Sequence, residues 1–531
     1  MSPHWPAAAL RPMRHEALYG DRVVRCFAER PASFLELLTR SAARHPDDDA
    51  IVFRERRWCY AQLEAAVERS AAGLACHGVR PGDRVVLFVG NRSEFIVALF
   101  AVQRLGAIAV PVGEREQQPA LAYILEQCSA TAIVFAAALA ERVPDTPALA
   151  LRVAVGGAPG AIDFETLGIH GEPAPPRPDP RPQDVAVILY TSGTTGRPKG
   201  AMLTHLNVVH SALHYEYCMG LQAGERSALA VPASHVTGLI AIIAATVHVG
   251  GAVVVVPEFK APSFLALLAA ERVSFTLMVP AMYQLCLMDP AFADTDLSNW
   301  RIGAYGGAPM PVSAIDALSQ RLPGLMLLNA YGATETTSPA TMMPAGQTRD
   351  HADTVGVALP CADIRVMDDA GCELPPGEVG ELWIGGPMVV PGYWANAQAS
   401  AENFTAGFWR SGDIGSIAAD GFVRLSDRKK DMLNRGGFKI YSVEVEHVIM
   451  AIPGVVEAAI VGRHCPVLGE RVHAFIHAPS IAHDTEQVRA HCASQLADYK
   501  VPETITWVEQ PLPRNAGGKL LKRALREMLP S

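Results

Sequence analysis

Short apolar, β-branched runs alternate along most of this chain with longer stretches whose apolar positions recur at helical spacing. Ser33-Phe-Leu-Glu-Leu-Leu opens a helix with a serine at its N-cap. Residues 84–89 read as a strand, 94–105 as an amphipathic helix and 107–112 as the next strand. This rhythm predicts a largely parallel sheet covered by helices. It resumes after a proline-rich surface connection over 171–184, with a helix from Asn207 and strands at 227–231, 251–257, 273–279, 301–305 and 325–329. From about Asp353 the texture changes to short alternating strands broken by Asp-Asp-Ala-Gly and Pro-Pro-Gly turns, as in a small antiparallel sheet or barrel. The charged run Arg428-Lys-Lys-Asp reads as a hinge. The remainder, with a helix near Val443, strands at 455–461 and 472–477 and a helix over 486–496, suffices for a small α+β domain. The expected organisation is a large N-terminal α/β domain over 1–427, a hinge at 428–430 and a small mobile C-terminal domain over 431–531.

The run Val185-Ala-Val-Ile-Leu-Tyr190 ends abruptly in Thr191-Ser-Gly-Thr-Thr-Gly-Arg-Pro-Lys199. It reads as a buried strand delivering a hydroxyl- and glycine-rich loop. Gly193 and Gly196 let backbone N–H groups turn toward an anion. Thr191, Ser192, Thr194 and Thr195 add hydroxyl donors, and Lys199 adds a point charge. The spacing is not that of a Walker A loop, because no Gly-Lys pair follows at the required interval.

The 531 residues exceed what one core can organise. A net charge of -9 argues against a general nucleic-acid binder. The ten cysteines are scattered without a Cys-x-x-Cys pair, which favours free thiols in a reducing cytoplasm over disulfides or zinc. No export signal is evident at the N-terminus. The most apolar stretch, 239–257, is interrupted by His248, Gly250 and Gly251, so it reads as buried helix, turn and strand rather than a membrane span.

Downstream of the loop come Gly307-Ala-Pro309, Tyr331-Gly-Ala-Thr-Glu335, Gly392-Tyr-Trp394, Ser411-Gly-Asp413, Asp427-Arg428, Gly436-Gly437 and Pro513-Arg-Asn-Ala-Gly-Gly-Lys519. In this order they closely resemble the adenylate-forming superfamily of acyl-CoA synthetases, peptide-synthetase adenylation domains and luciferases, on its acyl- or aryl-CoA ligase branch. The resemblance spans nearly the whole chain. It implies two half-reactions that use ATP, Mg²⁺ and coenzyme A. A carboxylate first attacks the α-phosphate, and a thiol then takes the acyl group.

The resemblance also implies roles. Thr191–Lys199 would clamp the β- and γ-phosphates. Gly307, Ala308 and Pro309, with Asn329, Ala330, Tyr331 and Gly332, would frame adenine, Tyr331 offering a stacking face. Thr334 would contact the α-phosphate and Glu335 would hold Mg²⁺. Asp413 would accept the ribose hydroxyls, and Arg428 would reach ribose or phosphate. Lys430 would be the pivot of the C-terminal domain, and Gly436 and Gly437 would face the pantetheine arm. Lys519 would bridge the substrate carboxylate and α-phosphate. Asn434 departs from the plant coumarate ligases, which carry a lysine there.

His235, in Pro232-Ala-Ser-His-Val-Thr-Gly238, matches an aromatic that flanks the substrate carboxylate in acyl- and aryl-CoA ligases. No Asp or Glu occurs between Arg226 and Glu258, so an α-ammonium would lack a partner and an amino-acid substrate is disfavoured. His235, Thr237, Tyr305, Gly306, Ala330, Ala333 and Met342 are candidate pocket walls for an apolar acid. CoA is the favoured acceptor, and an acyl carrier protein is the alternative.

Overall fold

The fold is that of a computed structural model, which describes residues 4–146, 149–168, 173–191, 197–479, 481–514 and 520–529. It divides into two compact units: residues 1–364 with 384–410, and residues 365–383 with 411–531.

The first unit is built on two sheets. A seven-stranded sheet runs in the order Lys199–Thr204, Val185–Thr191, Ile108–Pro111, Arg84–Phe88, Ala132–Ala136, Leu151–Val155, Ile162–Asp163. All its pairings are parallel except the first, where Lys199–Thr204 folds back on Val185–Thr191. The nine-stranded sheet has a parallel centre, with Met326–Ala333, Ile302–Tyr305, Phe275–Met278, Arg226–Leu229, Ala252–Val255 and Asp49–Phe53 in order. Antiparallel strands close both edges. Parallel strands buried on both faces are apolar without alternation, which is why these runs are so continuous in the sequence.

The helix expected over 94–105 is present as Ser93–Arg104, but it is not amphipathic: nearly every residue is buried. It packs against Arg84–Phe88 and Ile108–Pro111 of one sheet and against Asp49–Phe53 of the other. A helix held between two sheets has no solvent face, so a one-sided pattern was the wrong expectation. Two of its buried polar groups find partners: Gln103 Nε2 donates to the Ala186 carbonyl at 2.9 Å, and Arg104 pairs with Glu68 at 2.8 Å, while Gln103 Oε1 meets no donor among the described residues. The apolar stretch 239–257 is helix, turn and strand as expected, with one addition. Its first part, Thr237–Ala244, is a π-helix, continued by the α-helix Ala245–Val249 and the strand Ala252–Val255. Among the described residues no helix is long and apolar enough to cross a membrane.

In the second unit, 413–417 pairs antiparallel with Val423–Arg428. A separate sheet follows the order Phe438–Ile440, Leu433–Arg435, Gly469–His477, Glu457–Cys465, with Thr504–Trp507 parallel to Gly469–His477. Strand periodicity assigns its two faces. Ala458, Ile460, Ala474 and Ile476 pack with Val445 and Ile449 of the helix Ser442–Met450 and with Val488 and Cys492 of Thr485–Gln495. Ala459, Val461 and Phe475 face the other way, against Leu512 and Leu525.

The expected boundary at 427–431 differs from this division. Residues 365–383 and 411–427 belong with the second unit. The antiparallel ladder that joins Asp413 to Arg428 and Ile414 to Asp427 explains the difference, because it knits the chain before the supposed hinge to the chain at it.

Candidate functional site

The strand Val185–Thr191 and its return Lys199–Thr204 pair in register, Thr191 opposite Lys199. The hairpin therefore puts the first hydroxyl and the lysine of the glycine-rich segment side by side. Ser192, Gly193, Thr194, Thr195 and Gly196 lie outside the described residues. The near end of the hairpin is held from the side. Tyr123 donates to the Pro198 carbonyl at 3.3 Å, and the Tyr190 hydroxyl donates to Gln127.

The strand Met326–Ala333 carries the next group. Tyr305 pairs with Asn329 in the parallel ladder, and Ala330 pairs with Met342 in the antiparallel one. Tyr305, Ala330 and Met342 are all buried. Gly306 is required here: a Cβ would stand 2.4 Å from the Ala330 carbonyl oxygen. Gly307, at the start of Gly307-Ala308-Pro309, has φ 79°. Burial pushes the Tyr305 hydroxyl up to about 12, opposed by a hydrogen bond to the Asn329 side chain. Tyr331 is half-buried and Gly332 is exposed. Gly332 admits no side chain either, since its Cβ would fall on the Ser338 carbonyl.

That contact folds the chain sharply into the short turn Thr334–Thr336. Thr337 and Ser338 then take left-handed backbone conformations, with φ 50° and 95°. Such values are costly for residues with a Cβ and concentrate at functional sites. The turn is pinned by Thr336, whose Oγ1 accepts from the Ala333 N–H at 2.9 Å and donates to the Ser338 carbonyl at 2.9 Å. Thr334 stays half-buried at its start, and Glu335 is 9% exposed. Glu335 Oε1 accepts from the Tyr393 hydroxyl at 2.8 Å. Its other oxygen meets no donor, and no cation pairs with it, among the described residues. No group of three or more His, Cys, Asp or Glu side chains that could hold a metal occurs among them. A single anionic carboxylate with a spare oxygen fits Mg²⁺, which keeps water and phosphate oxygens as its remaining ligands.

Lys199 and Glu335 meet on Tyr393. The Lys199 ammonium lies 5.1 Å from the centre of the Tyr393 ring. Gly392-Tyr-Trp394 is annealed to the lysine strand by hydrogen bonds from Met202 N to the Gly392 carbonyl at 3.1 Å and from Trp394 N to the Gly200 carbonyl at 2.7 Å. Tyr393 was part of a quoted motif but carried no expected role. Only its contacts give it one.

His235 is exposed and follows Pro232-Ala-Ser in a loop that enters the π-helix. Its Nδ1 lies 3.4 Å from Thr237 N and 3.2 Å from Thr237 Oγ1, which orients the ring. A π-helical turn is uncommon and often marks a functional site. Gly238 lets the loop fold onto it, as a Cβ would lie 2.2 Å from the Pro232 carbonyl oxygen. Sequence reasoning missed Asn91. Its amide donates to the carbonyls of Leu229, Val231 and Val256 at 3.1–3.2 Å and accepts from Ala233 N at 2.8 Å. One side chain thus ties the ends of two strands to the loop that carries His235. An asparagine directly after Gly90 was the available signal, and alone it reads as an ordinary turn.

In the second unit the ladder places Asp413 opposite Arg428. Arg428 Nε is 3.2 Å from Asp413 Oδ1; the arginine side chain is 40% exposed and the aspartate nearly covered. Ser411 supports this strand by donating to the Leu382 carbonyl at 2.6 Å. Lys430 is partly covered, and burial lowers its pKa. The Lys430 carbonyl accepts from Arg526 at 3.4 Å, and Arg526 pairs with Asp431 at 2.9 Å. Lys522, on the same helix Lys522–Glu527, pairs with Glu446 at 2.7 Å and donates to Ser442 at 2.5 Å. Asp427 accepts from the backbone N–H groups of Ser442 and Arg428. Burial pushes the Asp427 and Glu446 carboxyls up, with Lys522 opposing both.

Gly436 and Gly437, with φ 59° and 92°, form the two-residue turn between Leu433–Arg435 and Phe438–Ile440. Two left-handed residues in succession are what a type I′ hairpin demands. Asn434, the departure noted in the sequence, accepts from Gly437 N at 3.0 Å and so fixes that turn. Lys519 lies outside the described residues.

The chain matches two family models: AMP-binding enzyme over residues 38–394, and AMP-binding enzyme C-terminal domain over 444–519. It is 33% identical over 488 residues to a feruloyl-CoA synthase of an Amycolatopsis species, covering 92% of this chain and 97% of that one. It is 32% identical over 478 residues to the long-chain-fatty-acid–CoA ligase FadD13 of Mycobacterium tuberculosis, covering 89% and 93%. Among solved structures it resembles the anthranilate CoA ligase AuaEII in complex with anthranoyl-AMP. There the TM-score is 0.87 at 25% identity, with 94% of this chain and 98% of that one covered.

Proposed function

Since this chain belongs to the AMP-binding enzyme family and is an AMP-forming acid–CoA ligase, we propose that it activates a hydrophobic carboxylic acid, fatty or aromatic. The carboxylate attacks the α-phosphate of ATP, forming an acyl-adenylate and releasing pyrophosphate. The CoA thiol then attacks the acyl carbon, and AMP leaves.

Both reactants of the first step are anions, so the site must supply positive charge and hold the line of attack. In this reading Lys199 and the hydroxyls of the segment from Thr191 hold the β- and γ-phosphates. Thr334 contacts the α-phosphate. Glu335 supplies the oxygen for Mg²⁺, which neutralises phosphate charge when bound. His235 donates a ring N–H toward the substrate carboxylate. Asp413 and Arg428 serve the ribose, and Lys519 stabilises the charge that develops at the α-phosphate. Lys430 and the Gly436-Gly437 turn serve the thioester step. Such an enzyme works with soluble cofactors, consistent with a cytoplasmic location.

The observation that carries the substrate reading is the register at the ends of the strands Ile302–Tyr305 and Met326–Ala333. It lines up Tyr305, Gly306, Ala330 and Met342, with no charged side chain among them. A buried apolar wall cannot compensate an α-ammonium. Both curated relatives named above are CoA ligases or synthases, which supports CoA over a carrier protein as acceptor.

The test is AMP release with CoA and no carrier protein, across benzoates, cinnamates, short to long fatty acids and amino acids. Turnover confined to apolar acids is expected. Preferential turnover of an amino acid, or AMP release only when a carrier protein is added, overturns the reading.

A further inference from the structure

Lys199 and Glu335 are opposite charges that both approach Tyr393, yet they form no ion pair with each other or with any other described residue. The Tyr393 ring contacts both. Its face takes the ammonium at 5.1 Å and its hydroxyl donates to the carboxylate at 2.8 Å.

Tyr393 has little freedom to leave. It is 4% exposed. Its backbone bridges to Ala201, two residues beyond Lys199. Its N–H donates to Ser400 Oγ at 2.9 Å, and the Phe404 ring packs edge-on at 5.5 Å. Gly392 makes this possible, because a Cβ there would lie 2.8 Å from Ser400 Oγ.

An ammonium and a nearly buried carboxylate that meet directly satisfy one another's charge, and separating them again is costly. Here such a pair would occupy the phosphate-binding charge and the metal-binding oxygen at once. We propose that Tyr393 is a positioning residue that keeps Lys199 and Glu335 from pairing, holding one charge for the nucleotide phosphates and the other for the metal. This rests on the reading of Lys199 and Glu335 given above. The ring offers the lysine a contact weaker than an ion pair, one that a phosphate can displace. The hydroxyl fixes the carboxylate through one oxygen and leaves the second facing the ligand.

The test is calorimetric binding of ATP, with Mg²⁺ and with the metal chelated, to the full-length protein. Y393F keeps the spacer and loses the hydrogen bond. It should weaken Mg²⁺·ATP binding by about tenfold, the worth of a hydrogen bond to a charged group, and leave metal-free ATP binding unchanged. Y393A removes the spacer and should weaken binding under both conditions. In that background K199M should cost much less than it does in the native protein, because the lysine is already sequestered by Glu335. Native-like Mg²⁺·ATP binding by Y393F, or an equal cost of K199M in both backgrounds, overturns the proposal. E335Q separates the two layers. If it leaves the Mg²⁺ enhancement intact, the metal reading of Glu335 fails and takes the proposal with it; if it abolishes the enhancement and Y393F does not weaken it, only the Tyr393 inference fails. If Y393A does not fold, as judged by its melting curve, Y393F carries the test alone.

Discussion

Two charged clusters in this molecule are built on opposite plans. In the first unit Lys199 and Glu335 each contact Tyr393 and do not pair with one another. In the second, Lys522 is in direct contact with Glu446 and Ser442, and Asp427 is tied to the Ser442 backbone beside them. Charges that pair with one another satisfy the fold and have nothing left for a ligand. Charges held near one another but unpaired are less favourable for the fold alone, and their arrangement makes sense when a third, charged species completes it.

The comparison makes graded predictions. The largest concerns the one charge expected to act on the reacting atoms. Lys519→Ala should lower adenylation by roughly a hundredfold or more while thioester formation from supplied acyl-adenylate stays near native, because only the first step builds charge at the α-phosphate. Measuring the half-reactions separately checks this; equal loss in both would remove the assigned role.

Next in size is a purely structural effect. Lys522→Met leaves Glu446 and Asp427 buried without their cation and should destabilise the second unit by about 3–5 kcal/mol. Denaturant unfolding followed by the fluorescence of Trp507 in that unit would register it, and an unchanged midpoint would mean that the cluster is not what holds the terminal helix.

Acid should distinguish the two regions with a smaller effect. In the first unit His205, His210 and His214 are buried, and desolvation lowers their pKa values to about 4, 3 and 4. The unfolded chain binds protons at these sites near 6.5 and the folded one does not, so their contribution is complete above that value and is lost as pH falls toward 3–4. Asp427 and Glu446, whose folded values are raised, have the opposite sign and gain relative stability on acidification. Between pH 7 and pH 5, hydrogen exchange should therefore quicken in the helix His205–Met219 before it does in Ser442–Met450. The reverse order would contradict the histidine assignment.

The smallest effect is expected at Arg428. Its side chain is 40% exposed, so Arg428→Met should change stability by less than about 1 kcal/mol. It should raise the KM for ATP severalfold through the lost ribose or phosphate contact, which steady-state kinetics at fixed acid and CoA would detect.

Where sequence reasoning succeeded and where it fell short follows the range of the interactions. The strand that ends at Thr191 and the alternation of strand and helix around it stand on runs a few residues long, whose apolar residues, glycines and hydroxyls imply local geometry. Residues placed by distant partners were not legible. Asn91 gathers carbonyls from positions more than a hundred residues away, and nothing beside it in the chain foretells them. Tyr393 acquires its position by pairing with a strand nearly two hundred residues earlier. The helix Ser93–Arg104 was given a solvent face because its neighbours on both sides come from different sheets. The unit boundary was placed at the charged run, whereas the ladder joining 413–417 to Val423–Arg428 moves it upstream.

The sequence alone determined the alternation of strands and helices, the hydroxyl- and glycine-rich composition of the loop and the family to which the chain belongs, because each is encoded in contiguous residues. Only the tertiary structure decided which charges pair and which do not. That depends on a side chain's neighbours in space: a ring arriving from a remote segment contacts both Lys199 and Glu335, which do not pair with one another.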